Sequence, residues 1–413
     1  MKVVIIGGGS AGTTCAFELR KENKEIDITI IEKTNQTEYS PCALPYVIGG
    51  EISDFEKIKI YTEKDYKENN INLILNEEVK EIDEKNKKIR LKDRELTYDK
   101  LVIATGSKPY IPKIEGLTEY LILKTVEDAK KIEKLENKSI IIIGAGMIGL
   151  ELGNALLNKN NKVIIFENQN SILPNMLDKD MASELEKLLE NIEIKKEEIK
   201  QININKLITK EQEYYFDHII IACGTGLENL NNKALYCGDC NYITEEITKA
   251  TIKSHLGTSA VRQGKNVANK ILNKDTESIP NLNNSITKIS DYIVGSVGIN
   301  TNTAINNNIK TISAKYKGTI TAPYYSDEPL IVKLIFNELE EIIGGQIIGK
   351  TEVAGRLNLL SLAISKKMNI KDLKTIDTCY NPASAPIFDP ITVCAEIVEK
   401  KVNALKRNYN ANK

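Results

Sequence analysis

KVVIIGGGSAGTTCAFELR, residues 2–20, decides how the rest of the chain is read. A short apolar run enters glycines and a helix-forming segment follows, so the stretch reads as a buried strand, a tight turn and a helix. Gly7, Gly9 and Gly12 stand at G-x-G-x-x-G spacing. Glycine at the first position permits the turn. At the second it lets the backbone approach a pyrophosphate, and at the third it lets helix and strand pack closely. The phosphates would sit on the amides at the helix N-terminus. A second strand, IDITIIEK at 26–33, ends in Glu32, where an acid can hold a ribose hydroxyl. Strand, helix and distal acid together predict dinucleotide binding.

The pattern recurs. KSIIIIGAGMIGLELGNALL (138–157) carries Gly144, Gly146 and Gly149, and KVIIFEN (162–168) places Glu167 at its strand's end. Two such units imply two dinucleotides, hence a relay of electrons from a nicotinamide to a second, tightly held carrier. Glu167 favours NADH, because a carboxylate repels the 2′-phosphate of NADPH; nearby Lys162 works in the opposite direction. YDKLVIATGSKPYIP (98–112) reads as a strand ending in Ala104, Thr105 and Gly106, and DHIIIACGTG (217–226) repeats the idea. ALYCGDC (234–240) then offers Asp239 after Gly238, with a helix expected at HLGTSAVRQGKNVANKIL (255–272).

Composition narrows the class. The 413 residues, with 56 Lys+Arg against 57 Asp+Glu, suggest two to three domains and give no support to a nucleic-acid surface. The opening is no signal peptide, and the longest apolar stretch carries glycines unsuited to a membrane span. A cytoplasmic protein is expected. Seven scattered cysteines form no disulfide framework. Cys237 and Cys240 spell C-G-D-C, but the glycine turn already claims the residues between them and no second pair supports zinc; no metal is expected. The two histidines, His218 and His255, read as structural.

One thiol stands apart. EYSPCALPYVIGG (38–50) sets Cys42 behind Pro41, with Pro45 expected in the first turn of a helix, where a missing N–H costs little. A helix N-terminus would stabilise its thiolate. Without a partner cysteine four residues away, such a thiol cycles as a mixed disulfide, a persulfide or a sulfenic acid.

At this point the chain resembles the FAD-dependent pyridine nucleotide-disulfide oxidoreductases, in their single-cysteine branch of coenzyme A-disulfide reductases, NADH oxidases, NADH peroxidases and persulfide or polysulfide reductases. The order of flavin motif, lone cysteine, A-T-G, NAD motif and G-D carries the resemblance over nearly the whole chain. SPCALPY is similar to the cysteine motif of coenzyme A-disulfide reductase, with Ala43 in place of its usual glycine. The implied fold class is α/β: two Rossmann-like dinucleotide-binding domains, for FAD and NAD(P), plus a C-terminal α+β dimerisation domain. The implied layout is an FAD-binding domain at 1–112 and 230–278, an NAD(P)-binding domain at 113–229 and the dimerisation domain at 279–413.

By resemblance FAD occupies the first fingerprint and NADH or NADPH the second. Asp239 then touches the FAD pyrophosphate–ribityl region, and Glu151 lies beside the nicotinamide. Ser10, Ala11, Lys33, Val79, Ile148, Gly224 and Thr258 complete the implied cofactor set. CYNPASAPIFDP (379–390) is similar to a coenzyme A-disulfide reductase segment whose tyrosine reaches the partner subunit's active site. That makes Tyr380 the candidate proton or hydrogen-bond donor to a leaving thiolate. Ser40 and Arg20 are the further substrate-binding candidates, Arg20 matching a basic position of the coenzyme A reductases. Ser10 stands where peroxidase and water-forming oxidase relatives carry a histidine, which weighs against peroxide chemistry. The implied protein is a homodimeric oxidoreductase reducing a low-molecular disulfide, persulfide or polysulfide, best coenzyme A disulfide. The alternatives are an NADH oxidase or a flavoprotein electron-transfer partner. The linker at 226–236 is shorter than in relatives.

Overall fold

The computed structural model describes residues 1–226, 233–276 and 281–411. The glycine-terminated apolar run forms β1 (Lys2–Ile6), followed by α1 (Ser10–Glu22) and β2 (Asp27–Ile31). β1 lies at the centre of a five-stranded parallel sheet, between β2 and the strand Lys100–Ile103. Ile71–Ile74 and Leu235–Tyr236 close its edges. Val3, Val4 and Ile5 are all buried, which is why the run is unbroken rather than alternating: a parallel sheet is covered on both faces. The Lys100–Ile103 strand ends just before Ala104, so the A-T-G sequence forms the loop at the sheet's carboxyl edge.

The second fingerprint builds the same unit. Ser139–Ile143 is central, between Lys162–Phe166 and His218–Ile221, with Glu193–Lys195 and Leu121–Ile122 outside, all in parallel. Each unit also carries a three-stranded antiparallel meander, Glu81–Thr97 in the first and Ile199–Tyr215 in the second.

From residue 285 the chain changes architecture. Five antiparallel strands stand in the order Ser285–Ile289, Tyr292–Gly298, Ile342–Gly349, Pro329–Asn337 and Thr311–Thr319. The hairpin expected around the acidic turn is present, Pro329–Asn337 pairing with Ile342–Gly349. Helix Val353–Ser365 packs over two strands of this sheet and Pro390–Ala411 over two others. Val332, Leu334 and Phe336 join the core beneath these helices. Ile331 and Ile348 instead join a core shared with the second nucleotide unit. Both faces are therefore occupied.

Lys333 shares the face of Ile331, and its ammonium is compensated by an ionic contact across the domains. Its Nζ lies 3.0 Å from Asp178 Oδ2 and 2.6 Å from Asp180 Oδ1. Gln346 Nε2 donates to Asp178 Oδ2 (3.0 Å), and Thr301 donates its N–H and hydroxyl to the same carboxylate. The expected domain breaks at 229/230 and 278/279 lie outside the described residues, as does most of the shortened linker. At the remaining break Ile111 already packs on the second unit's core. Removing one partner of a buried ion pair leaves an uncompensated charge, so Lys333→Met is expected to lower the unfolding free energy by about 3 kcal/mol. Urea unfolding checks this, and Asp178→Asn in the Lys333→Met background should recover part of the loss.

Candidate active site

The two glycine turns are superposable in kind. Gly7 has φ 108° and Gly144 φ 111°. A Cβ on either would strike a carbonyl of the neighbouring loop, that of Ala104 or of Ala222. Gly12 and Gly149 lie against the carbonyls of Gly7 and Gly144, where a side chain would push helix from strand. Gly9 and Gly146 cap their helices with φ −78° each and have nothing within 4 Å on the side a Cβ would occupy. That open approach is what a pyrophosphate needs. Glu32 Oε2 accepts from Gly8 N–H and its Oε1 from Thr34 N–H, all at 2.9 Å. Glu167 repeats the arrangement, accepting from Ala145 and Gln169 N–H at 2.9 Å. Each acid thus organises its own glycine loop. Ser10 and Ala11 open α1, Ile148 lies in the first turn of Met147–Leu157, and Lys33 follows Glu32 in the chain.

Gly238, with φ 82°, brings the next residue beneath the first turn of α1; a Cβ there would stand 2.9 Å from that of Ala11. Asp239 is held by groups that no motif announced. Ser107 Oγ donates to its Oδ2 at 3.3 Å, Lys124 Nζ stands 4.0 Å away, and His255 Nδ1 3.7 Å. Burial pushes its carboxyl up, but the neighbouring His255 ring and the Lys124 charge prevail and hold it below the usual range. Gly224 (φ 87°) lies in the connection returning from the second unit, Thr258 in the first turn of Gly257–Ile271, and Val79 on the core beside Ile6 and Ile31.

Cys42 lies in a single 3-10 turn, Pro41–Ala43, ahead of the five-residue helix Leu44–Ile48, with Ser40 as N-cap. Pro45 occupies the expected first turn. Leu44, Val47 and Ile48 are buried in a core shared with the second nucleotide unit, which fixes the thiol's place. The surroundings oppose the expected lowering of the thiol by a helix N-terminus. The Cys42 side chain is exposed, yet protein crowding raises its pKa, and the Glu151 and Asp239 carboxylates raise it further; Lys124 offsets only part. A five-residue helix entered through a 3-10 turn has too little aligned dipole to overcome two carboxylates. Burial pushes Glu151 up to about 7, and Thr287 Oγ1 donates to its Oε1 at 2.5 Å.

Two further placements concern the substrate candidates. Arg20 is 4% exposed, and its guanidinium donates to the carbonyls of Asn23, Lys24, Ile26 and Asn70. It ties the end of α1 to the start of β2, and a coenzyme A diphosphate has no access to it; the expected substrate role is corrected to a structural one. Tyr380 is exposed, its hydroxyl 2.9 Å from that of Tyr324, a residue the sequence reading passed over. Another unannounced group is Glu38, buried, with its carboxyl raised by burial.

Residues 1–244 match the pyridine nucleotide-disulphide oxidoreductase family, and residues 285–389 match its dimerisation domain. The chain belongs to this family. An NADH oxidase of Methanocaldococcus jannaschii is 35% identical over 98% of this chain and 100% of its own length. A coenzyme A-dependent NAD(P)H sulfur oxidoreductase of Pyrococcus furiosus is 29% identical over 96% and 99%. The solved NAD-dependent persulfide reductase of A. fulgidus is 27% identical and aligns with a TM-score of 0.92 over 98% of this chain and 84% of that one. The protein is an NAD(P)H-dependent oxidoreductase of the FAD-dependent family. Among the described residues no helix is long and apolar enough to cross a membrane.

Since the Glu151 charge raises the Cys42 pKa, Glu151→Gln should lower it. The midpoint of Cys42 alkylation by iodoacetamide against pH is expected to move down by roughly half a unit or more, the effect of removing a nearby like charge. An unmoved midpoint would place the carboxylate's influence elsewhere.

Proposed function

We propose that this protein uses NAD(P)H to reduce a low-molecular disulfide, persulfide or polysulfide through Cys42 as its single redox sulfur. The observation that carries the reading is the contrast among the thiols. Cys15, Cys237, Cys240 and Cys394 are buried, and burial pushes Cys15 and Cys394 up to about 12. Cys240 Sγ donates to the carbonyls of Ile103 and Cys237, so the C-G-D-C pair serves packing. Cys223 is half-buried and Cys379 is exposed on the C-terminal segment, whereas Cys42 is exposed near the Glu151 and Asp239 carboxylates, and the sulfur it exchanges with comes from the substrate.

The chemistry balances as follows. Cys42, deprotonated, attacks one sulfur of the acceptor and forms a mixed disulfide; the other half leaves and takes a proton. Two electrons from NAD(P)H cleave that bond, releasing the second thiol and restoring Cys42, for a net uptake of one hydride and one proton. When bound, FAD supplies the electron transfer between nicotinamide and sulfur. Gly9 and Asp239 fit its diphosphate and ribityl ends, Gly146 and Glu167 those of the nicotinamide dinucleotide. Tyr380, oriented by Tyr324, donates to the leaving thiolate across a homodimer built on the C-terminal domain. Coenzyme A disulfide remains the preferred substrate on the strength of the cysteine loop and the coenzyme A-dependent relative. Arg20 no longer contributes to that preference. The second reading, oxygen reduction, is favoured by the archaeal NADH oxidase and opposed by Ser10.

Cys42→Ser should abolish disulfide turnover while NADH still bleaches the flavin, with Cys237→Ser nearly unchanged. Wild-type turnover of coenzyme A disulfide should exceed both that of glutathione disulfide and oxygen consumption. Oxygen uptake faster than either would favour the oxidase.

Glu167 also sets the cofactor. It is 7% exposed. Lys162 begins the five-residue strand that Glu167 follows, about 16 Å away at the rise of an extended chain, and is out of reach of a 2′-phosphate. NADH is therefore expected to surpass NADPH about tenfold in kcat/KM, roughly 1.4 kcal/mol, and Glu167→Ser should narrow the gap.

A further inference from the structure

Ser107, Lys124 and Asp239 come from three separate pieces of the chain and meet at one point. Lys124 Nζ donates to Ser107 Oγ at 3.1 Å, and Ser107 Oγ donates to Asp239 Oδ2 at 3.3 Å. The same Asp239 oxygen stands 4.0 Å from Lys124 Nζ. Ser107 lies on the connection that leaves the first nucleotide unit, and Asp239 on the stretch that rejoins it. Lys124 belongs to the second unit, between the edge strand Leu121–Ile122 and the helix Val126–Glu133. Its backbone N–H donates to Asp128 Oδ2, the carboxylate that closes the capping box on Thr125, so its place on that unit is fixed.

The return connection reaches the same carboxylate through His255. That ring has Nδ1 3.7 Å from Asp239 Oδ2 and Nε2 2.8 Å from Thr225 Oγ1. The two connections are themselves zipped together. Tyr110 N–H donates to Gly224 O and Gly226 N–H to Lys108 O, each at 2.9 Å. Elsewhere the two units meet through apolar burial, Leu44 and Val47 sharing a core with Val126 and Ala129. Apolar burial is non-directional, so it holds the units together without by itself fixing how one is turned on the other. A charge-assisted hydrogen bond does fix a direction.

We infer that Lys124 is a positioning residue for hydride transfer, fixing the second nucleotide unit on the first through Ser107 and Asp239. It spans the carboxylate assigned to the flavin and the unit assigned to the nicotinamide, while belonging to neither glycine fingerprint. Reacting atoms must stand about 3–3.5 Å apart, and a displacement of about 1 Å costs on the order of a hundredfold in rate. The inference rests on FAD occupying the first unit and the nicotinamide dinucleotide the second. It is independent of which acceptor Cys42 serves.

Holoenzyme is mixed with NADH in a stopped-flow instrument without an acceptor, and flavin bleaching is followed. Lys124→Met should keep its flavin and slow the limiting bleaching rate about tenfold, as a small misplacement requires. The half-saturating NADH concentration should change little, because the dinucleotide contacts remain. Lys124→Arg, which keeps the charge and a donor, should restore most of the rate. A second readout needs no turnover. Hydrogen exchange at the Tyr110 and Gly226 amides should quicken in Lys124→Met, while exchange in β1 stays as in the wild type.

A wild-type bleaching rate in Lys124→Met would overturn the inference, as would a rate equally slow in Lys124→Arg. Loss of flavin from Lys124→Met would also overturn it, by making the lysine a flavin-binding group instead. Gly9→Val tests the cofactor assignment separately, since a Cβ there meets no protein atom within 4 Å but fills the approach for a pyrophosphate. Flavin retained in Gly9→Val removes the assignment and the inference with it. Flavin lost from Gly9→Val, beside unchanged bleaching in Lys124→Met, removes the lysine alone. Should Lys124→Met fail to fold by circular dichroism, Ser107→Ala removes the bridging hydroxyl and must slow bleaching in the same direction.

Discussion

The packing of Leu44, Val47 and Ile48 into a core they share with the second nucleotide unit is the contact on which the rest depends. Each is 3% exposed or less. These three side chains belong to a helix too short to be stable by itself, so the position of Cys42 is fixed by tertiary burial rather than by local structure. The same core takes in Val126, Ala129 and Leu152 from the second unit's helices and Ile289 and Val294 from the C-terminal sheet. Gly49 completes the fit, since a Cβ there would stand 3.2 Å from Ala155. One thiol is thereby held by all three parts of the chain.

Features that depend on neighbours in sequence were legible in the sequence. Gly7, Gly12, Gly144 and Gly149 are required by a strand–turn–helix that closes within a dozen residues, and the carbonyl contacts at each leave no room for a side chain. The hairpin around 338–341 and the helix Gly257–Ile271 follow from equally local patterns. The Asp239 cluster was not legible. Ser107, Lys124, Thr225 and His255 have ordinary sequence surroundings and converge only because the two inter-domain connections run side by side. Tyr324 is likewise a plain loop residue until Tyr380 is folded against it.

Two readings give way to tertiary surroundings. Arg20 matches a basic position of the coenzyme A reductases, but a buried guanidinium requires acceptors for its N–H groups and takes four carbonyls instead. Cys42 was judged by the helix macrodipole, a weak and local effect. At Cys42 desolvation and two carboxylates outweigh it, and both carboxylates come from parts of the chain more than a hundred residues away in sequence.

The proximity of Glu151 and Cys42 has a consequence for how the site handles protons. Glu151 is pushed up to about 7 by burial, and its charge raises the Cys42 thiol. The ionisation of Glu151 therefore bears on that of Cys42. Raising the pH first ionises Glu151, which makes the thiol harder to ionise. A neutral Glu151 instead leaves Asp239, already matched by Lys124, as the remaining negative charge near the sulfur. Thiolate formation is thus eased by whatever keeps Glu151 protonated. The hydroxyl of Thr287, donating from the C-terminal sheet to Oε1, favours the ionised form and works against it. Burial is the larger effect. The domain contact that buries Glu151 therefore also sets how readily Cys42 becomes a nucleophile.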